Sequence, residues 1–351
     1  MNEFIPYYSS LSGLKFIDLF CGIGGFHQAL ASFGASCVFS SEWDKHAQKT
    51  YYENFGIKPA GDITKIAVTD IPEHDILCAG FPCQPFSISG KQAGFNDTRG
   101  TLFFDIARIV AYHRPRLLIL ENVRNFTTHD EGRTLQTVKR TMNELGYDFY
   151  CSVLNASHYG LPQNRERIYM ICIRRDGRVA NFTFPKSSEQ SISLADIILP
   201  DAEVEKYVIK RKDIVIDYDK ADKITREAKT YNKPLRVGFI NKGGQGERIY
   251  SEYGHAITLS AYGGGPGSKT GCYFIGQKVR KLAPRECARL QGFPDSFKIT
   301  VSDSQAWKQF GNSIPINVLK HILKSIVDHH MLYQFLRPQS YVMSTNYVKT
   351  V

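Results

Sequence analysis

Between residues 15 and 175 the chain alternates strand-like apolar runs with helix-like runs, and this constrains the fold more than any other feature. Residues 15–20 read as a buried strand, 24–33 as a helix opened by glycines, 36–41 as strand and 45–55 as helix. Strand 75–78 follows, then an irregular segment to about residue 100, helix 101–112, strand 116–120 and helix 134–145. Residues 148–154 and 167–173 read as further strands. Such alternation predicts an α/β fold, a doubly wound, Rossmann-like sheet with helices on both faces. Sheets of this kind bind ligands at the carboxyl ends of their strands. The residues just past each strand are therefore the first candidates for chemistry.

At 351 residues the chain suits one large domain with a smaller one inserted or appended, or two ordinary domains. Its 42% hydrophobic and 22% charged content allows a substantial core. No apolar run approaches a membrane span, and residues 1–6 show no basic region leading into an apolar stretch, so neither a membrane nor a secretory destination is expected. The eight cysteines are scattered without a C-x-x-C pair. They read as reduced thiols of a cytoplasmic protein without a structural metal.

The formal net charge is +10, and residues 231–290 carry ten Lys/Arg against three Glu. Most of the excess thus falls in one glycine-rich segment, which reads as a nucleic-acid contact surface. The pattern changes near residue 195. Residues 205–220 alternate charged and β-branched residues, 235–280 are short β-like pieces broken by glycine, and 316–330 return to a helical period. This predicts a small, mostly β unit inserted into the α/β domain, with the last helix packing back on the first domain. The boundaries follow as 1–195 with 305–351 for one unit and 196–304, hinge included, for the other.

The segment Ala79-Gly80-Phe81-Pro82-Cys83-Gln84 follows the strand at 75–78. Cys83 is either a nucleophile at a strand's carboxyl end or a buried small hydrophobe. Asp18-Leu19-Phe20-Cys21-Gly22-Ile23-Gly24-Gly25 runs from strand through a glycine turn into a helix, where free backbone N–H groups can meet a ligand. It is not G-x-G-x-x-G, which disfavours a pyrophosphate cofactor. Glu42 follows Gly22 by 20 residues and can hold ribose hydroxyls, with Trp43 beside it to stack on adenine. Asp62 can accept from an adenine amino group, or is an ordinary turn or N-cap aspartate. Glu121, in Glu121-Asn122-Val123, ends the strand at 116–120 and points into the same crevice as Cys83. Arg165 and Arg167, in Gln163-Asn164-Arg165-Glu166-Arg167, face one side of an extended chain. They can clamp a base or phosphate, or form an ion-pair network with Glu166.

Taken in order, these motifs, with Arg285-Glu286-Cys287-Ala288-Arg289-Leu290-Gln291-Gly292-Phe293-Pro294 and Gln309-Phe310-Gly311-Asn312-Ser313, resemble the DNA (cytosine-5) methyltransferases of bacterial restriction–modification systems. The resemblance covers nearly the whole chain around a variable insertion. It implies a methyltransferase using S-adenosylmethionine, no metal, and duplex DNA as partner, acting as a monomer beside a cognate restriction endonuclease. It implies that Cys83 adds to carbon 6 of a flipped-out cytosine, that Glu121 engages N3 and the amino group, and that Arg165, with Arg167, steadies the base. The cofactor pocket would comprise Phe20, Gly22, Gly24, Glu42, Trp43, Asp62, Ile63 and Asn312. Ser87, Ser89 and Arg99 would belong to a loop closing on DNA. Ser89 and Gln245 would enter the space left by the base, Arg248 would read guanine, and Thr258 and Tyr262 would support that surface.

The segments 243–251 and 256–265 resemble the recognition loops of a family member that modifies the inner cytosine of GCGC. The chain departs after Gly265 and in residues 213–234, so a longer site with GCGC at its centre fits equally. The rivals are an RNA cytosine-5 methyltransferase of the same fold and a catalytically inert DNA-binding module.

Overall fold

The computed structural model describes residues 10–82, 102–175, 182–188, 192–227 and 231–328. Its larger sheet holds β1 (Lys15–Leu19), β2 (Ser36–Ser41), β3 (Ile76–Gly80), β4 (Leu117–Val123), β5 (Tyr147–Asn155) and β6 (Glu166–Arg174) in the order β2-β1-β3-β4-β6-β5. The first four pair in parallel, and β6 runs antiparallel between β4 and β5. The helices are α1 (Gly25–Ala31), α2 (Lys45–Phe55), α3 (Leu102–His113) and α4 (Arg133–Glu144).

Side-chain parity sorts the two faces of the sheet. Ile76, Cys78, Leu117, Ile119, Tyr169 and Ile171 face a core shared with Phe26 and Leu30 of α1. Leu77, Ala79, Leu118, Leu120, Met170 and Cys172 face the opposite core, with Phe103, Ile106 and Val110 of α3 and Val138 and Met142 of α4. Apolar residues on both faces explain why these strands read as continuous apolar runs, as buried parallel strands do.

A second, five-stranded sheet has the order β11-β10-β9-β8-β7. Its strands are β7 (Ile214–Ile216), β8 (Arg236–Ile240), β9 (Arg248–Ser251), β10 (Cys272–Ile275) and β11 (Lys278–Arg280). Val237, Ile240, Ile249, Phe274 and Val279 form its core with Ala221 and Ile224. The last two lie on a helix, Tyr218–Glu227, preceded by the short Asp201–Val204 turn of helix. We number these α5 (Asp201–Val204) and α6 (Tyr218–Glu227). The sequence reading had only β-like character near here, because α6 is charged around a single buried pair at i, i+3.

Three helices close the described chain: α7 (Pro284–Leu290), α8 (Asp303–Asn312) and α9 (Ile316–Asp328). α9 packs against α1 and buries Val318, Leu319, Ile322 and Leu323 in the first core. β11 and α7 are joined by a fully buried ion pair, Arg280 Nη2 to Glu286 Oε1 at 2.7 Å. Among the described residues no helix is long and apolar enough to cross a membrane.

Because β6 is antiparallel to β4, its first residues lie at the same edge as the carboxyl end of β4. Val123 pairs with Arg167 and Glu121 with Tyr169. The acid and the arginine are thus diagonal neighbours on one face, within reach of long side chains.

Candidate active site and nucleic-acid interface

Glu121 and Arg167 meet at this edge. Arg167 Nε lies 3.1 Å from Glu121 Oε1, and both side chains are largely shielded from solvent. Burial raises the Glu121 carboxyl above its ordinary range, against the pull of the Arg167 and Arg165 charges. A carboxyl held so can keep or donate a proton nearer neutrality than a solvated glutamate can. Gly80 lies directly across β3–β4 from Glu121. A Cβ on Gly80 would sit 3.4 Å from Glu121 Oε2 and 3.0 Å from Ile314 Cδ1, so the glycine leaves room for the acid.

Cys83 follows Gly80 by three residues, and it lies outside the described residues with Ser87, Ser89 and Arg99. The segment leading to it is fixed, however. Buried Asn122 donates from Nδ2 to the Phe81 carbonyl at 2.9 Å, and its Oδ1 accepts from the Val123 amide at 2.8 Å. Asn122 was quoted in the sequence motif without a role. It ties the chain leaving β3 to the end of β4.

The two arginines expected to act on the base have different surroundings. Arg167 contacts Glu121. Arg165 is fully buried and donates to the main-chain carbonyls of Leu259 at 2.9 Å, Gly311 at 2.9 Å and Ser313 at 2.7 Å. Burial pushes its guanidinium down to about 9, helped by the like charge of Arg167. Arg165, expected to steady a base, has both terminal nitrogens on protein carbonyls that lie far away in sequence.

Of the expected cofactor residues, Phe20, Gly22, Gly24, Glu42 and Trp43 lie just past the carboxyl ends of β1 and β2. Glu42 Oε2 accepts from the Gly22 amide at 2.9 Å and Oε1 from the Asp44 amide at 2.8 Å. Each oxygen keeps a further lone pair for a hydroxyl group. Burial raises the Glu42 carboxyl, and the amides of Asp44 and Gly22 oppose that shift. Gly22 and Gly24 have φ of 55° and 88°, and Phe20, a non-glycine, has φ of 55°. A Cβ on Gly22 would meet nothing within 4 Å, whereas one on Gly24 would overlap the Phe55 ring at 2.2 Å. Trp43 is 80% exposed beside this open space. Asp62 caps the turn Ile63–Lys65 through Thr64, and Ile63 is buried. Asn312 ends α8, exposed between the carbonyls that Arg165 holds. An open glycine cradle, an acid with spare lone pairs and a bare indole fit an adenosine. Asp18, fully buried in β1 with its carboxyl raised well above the usual range by burial, was not singled out, although an acid inside an apolar strand was the visible signal.

The expected DNA residues stand on glycine loops of the second sheet. Gln245 and Arg248 are exposed at the β8–β9 turn, and Tyr262 is 73% exposed. Glu247 shapes that turn, accepting from the Gly244 amide at 2.8 Å and from Asn241 Nδ2 at 2.9 Å. The Gly267 amide donates to the Gly246 carbonyl at 2.8 Å, and a Cβ on Gly246 would strike Gly264 O at 2.4 Å. The two loops therefore pack backbone to backbone, and glycine is required at Gly246, where φ is 78°. Thr258, exposed, donates through Oγ1 to Asn164 O, and the Asn164 amide donates to Ala256 O at 3.0 Å. Buried Gln163 joins Leu259 N to Leu290 O, at 3.1 and 2.9 Å. Among the described residues no cluster of three His, Cys, Asp or Glu side chains could hold a metal ion.

A two-sheet molecule with an acid–arginine pair, and an open glycine turn beside a second acid, at one sheet's carboxyl edge fits the class of nucleoside-cofactor enzymes. The family model of the C-5 cytosine-specific DNA methylases matches residues 14–328, and the chain belongs to that family: it is a DNA (cytosine-5) methyltransferase whose methyl donor is S-adenosylmethionine. Type II methyltransferase M.HhaI of Haemophilus parahaemolyticus is 60% identical over 316 residues, covering 90% of this chain and 95% of that protein. Type II methyltransferase M.HpaII of Haemophilus parainfluenzae is 43% identical over 324 residues, 89% of each chain. The fold is shared with Schizosaccharomyces pombe Dnmt2 methyltransferase ("S. pombe"), at TM-score 0.66 and 19% identity over 91% of this chain and 99% of that one. A putative DNA modification methyltransferase from an Escherichia coli prophage ("E.coli") has TM-score 0.65 and 21% identity, over 91% and 100%.

Proposed function

We propose that this enzyme methylates the inner cytosine of GCGC, or of a longer site containing it, in duplex DNA through a transient Cys83–cytosine bond. The observation that carries this reading is the buried Glu121–Arg167 pair, directly across the sheet from Gly80 and three residues from Cys83. The base leaves the duplex, because neither face of a stacked ring is reachable, at a cost on the order of a few kcal/mol. The Cys83 thiolate adds to carbon 6, and the displaced π electrons move onto carbon 5 as Glu121 gives a proton to N3. Arg167, rather than Arg165, meets the base beside Glu121. S-adenosylmethionine supplies an electrophilic methyl group, which the electron-rich carbon 5 takes. S-adenosylhomocysteine is the leaving group; loss of the carbon 5 proton then re-forms the 5,6 double bond and expels the Cys83 sulfur, and N3 returns its proton to Glu121.

Phe20, Gly22, Gly24, Glu42, Trp43, Asp62, Ile63 and Asn312 hold the donor. Ser87, Ser89, Arg99, Gln245, Arg248, Thr258 and Tyr262 hold DNA, with the Arg248 fork suited to guanine O6 and N7. Residues 1–195 with 305–351 form the catalytic unit and 196–304 the recognition unit. The enzyme acts as a cytoplasmic monomer and protects its sites from a cognate endonuclease. The support is the motif order, the 60% identity to M.HhaI, and the geometry around Glu121 and Glu42.

The test is transfer of labelled methyl groups into duplexes carrying GCGC or a permuted site, and into RNA of the same sequence. GCGC duplexes are expected to be labelled, and Cys83→Ser to abolish turnover. A 5-fluorocytosine duplex is expected to trap the unaltered enzyme covalently. Equal labelling of the permuted duplex, or preferred labelling of RNA, overturns the assigned substrate; failure to trap overturns the covalent step.

A further inference from the structure

Arg165 joins two segments that the proposed function assigns different jobs. Its Nη1 holds Leu259 O, inside the loop 256–262 that carries Thr258 and Tyr262. Its Nη2 holds Gly311 O and Ser313 O, the carbonyls on either side of Asn312. Its own amide donates to Asn155 Oδ1 at the end of β5. Two further observations put the same elements in contact. A Cβ on Gly311 would lie 2.4 Å from Ala261 N and 2.5 Å from Ser260 O, so the α8 backbone rests on that loop. Lys269 Nζ, beyond the loop, reaches Ser304 O at 3.0 Å near the start of α8. The same face of α8, on which Ser304, Lys308 and Gly311 follow one another at i, i+4 and i+7, also reaches the cofactor residues: Lys308 Nζ lies 2.7 Å from Asp44 Oδ2, and the Asp44 amide is held by Glu42. α8 thus touches both the base-reading loop and the cofactor residues along one face, with Arg165 bolted to its end.

We propose that Arg165 is a positioning residue that couples the two sites, so that filling the cofactor pocket tightens DNA binding and DNA tightens the cofactor by the same factor. This rests on the assignment of Asn312 to the cofactor and of Thr258 and Tyr262 to DNA. A buried cation bound only to carbonyls of other segments holds its place while those carbonyls stay together, so displacement of either strand of the joint is felt by the other. Reciprocity of the coupling follows from linkage.

The experiment measures the dissociation constant of a GCGC duplex with and without saturating S-adenosylhomocysteine, and the converse, for the unaltered enzyme, Arg165→Lys and Gly311→Ala. The unaltered enzyme is expected to show a reciprocal factor of about 5 to 150, the usual size of a site–site coupling. Arg165→Lys keeps the charge but loses the planar fork, so it cannot hold all three carbonyls in the same geometry. Its factor is expected to fall towards one, while S-adenosylhomocysteine alone binds as it does to the unaltered enzyme. Gly311→Ala forces α8 off the loop without touching Arg165 itself, and is expected to lower the factor too; it carries the test if Arg165→Lys does not fold. A factor unchanged in the variants, a factor of one in the unaltered enzyme, or loss of product binding in the absence of DNA overturns the proposal. Methyl transfer into the same duplex by the unaltered enzyme, measured first, separates failure of the coupling from failure of the assigned reaction.

Discussion

The carboxyl edge of the large sheet and the loops of the small sheet solve opposite problems. At the edge, the polar side chains proposed for chemistry are tied down: Glu121 to Arg167, Asn122 to Phe81 O, Glu42 to two amides. At the loops, the side chains proposed to read DNA stand exposed, and it is the backbone that is bound, through Gly246, Gly267 and the Glu247 turn. The chemistry is held by side chains; the reading surface is held chiefly by main chain, with Thr258 Oγ1 on Asn164 O and Arg248 Nε on Gly243 O adding to it. Substitutions at the edge should therefore act on rate, and substitutions in the loops on sequence choice.

The sharpest way to break this contrast is Glu121→Gln. The amide keeps the shape but cannot carry the proton, and it leaves Arg167 without its carboxylate. Single-turnover methyl transfer is expected to drop by about 10²- to 10⁴-fold, the usual worth of a positioned general acid. Affinity for S-adenosylhomocysteine is expected to hold. A loss of only a few-fold makes the Glu121–Arg167 pair a structural ion pair instead.

Next in size is a pH effect carried by two histidines of the large-sheet unit. His27 is buried on α1, its ring stacked on Phe55 at 3.9 Å, and its Nδ1 lies 2.7 Å from the Tyr51 hydroxyl. Burial pushes it down to about 4, and His74 likewise. The folded state keeps both neutral, while the unfolded chain takes up protons below about 6.5. Stability is then full above that pH and is lost as pH falls towards 4, by on the order of 2–3 kcal/mol per histidine. Denaturant unfolding at stepped pH should show this slope, and His27→Gln should flatten about half of it. An unchanged slope in that variant removes His27 from the account.

How much of this was legible beforehand follows the same division. α2 and β2 have the bounds read from the sequence, because an apolar face and an Asp44 cap mark them locally. Glu42 and Glu121 were visible because an acid closing an apolar strand is conspicuous. Arg165 was not separable from Arg167, since spacing alone puts both on one side of an extended chain. What separates them is a set of carbonyls 94 to 148 residues away. The same holds for β6, whose antiparallel insertion beside β4 is decided by long-range pairing and by no local signal. α6 escaped because only Ala221 and Ile224 of its ten residues are buried.

On the reading surface, Arg248→Ala should leave rate-limiting chemistry intact and weaken discrimination. One bidentate guanine contact is worth about 1–3 kcal/mol, so the ratio of kcat/KM for GCGC over a site with that guanine replaced is expected to fall by about 5- to 150-fold. Binding to unrelated duplexes, measured in the same salt, should barely change. If unrelated duplexes weaken equally, Arg248 is a phosphate contact, and the loop's exposed side chains set affinity more than choice.

The smallest expected effect tests the exception to the contrast. Trp43 belongs to the catalytic edge, yet its side chain is as bare as any in the loops. A bare indole on a fixed backbone, with Glu42 and the Asp44 cap on either side, makes sense where a flat ring completes the packing. Trp43→Ala is expected to weaken S-adenosylhomocysteine by about 2- to 12-fold, the worth of one aromatic stacking contact at about 0.5–1.5 kcal/mol. The melting temperature without ligand should hold, because an exposed side chain gives the fold little. Trp43→Phe should recover most of the affinity. If alanine lowers the melting temperature instead, the indole supports the β2–α2 corner and the adenine has some other partner.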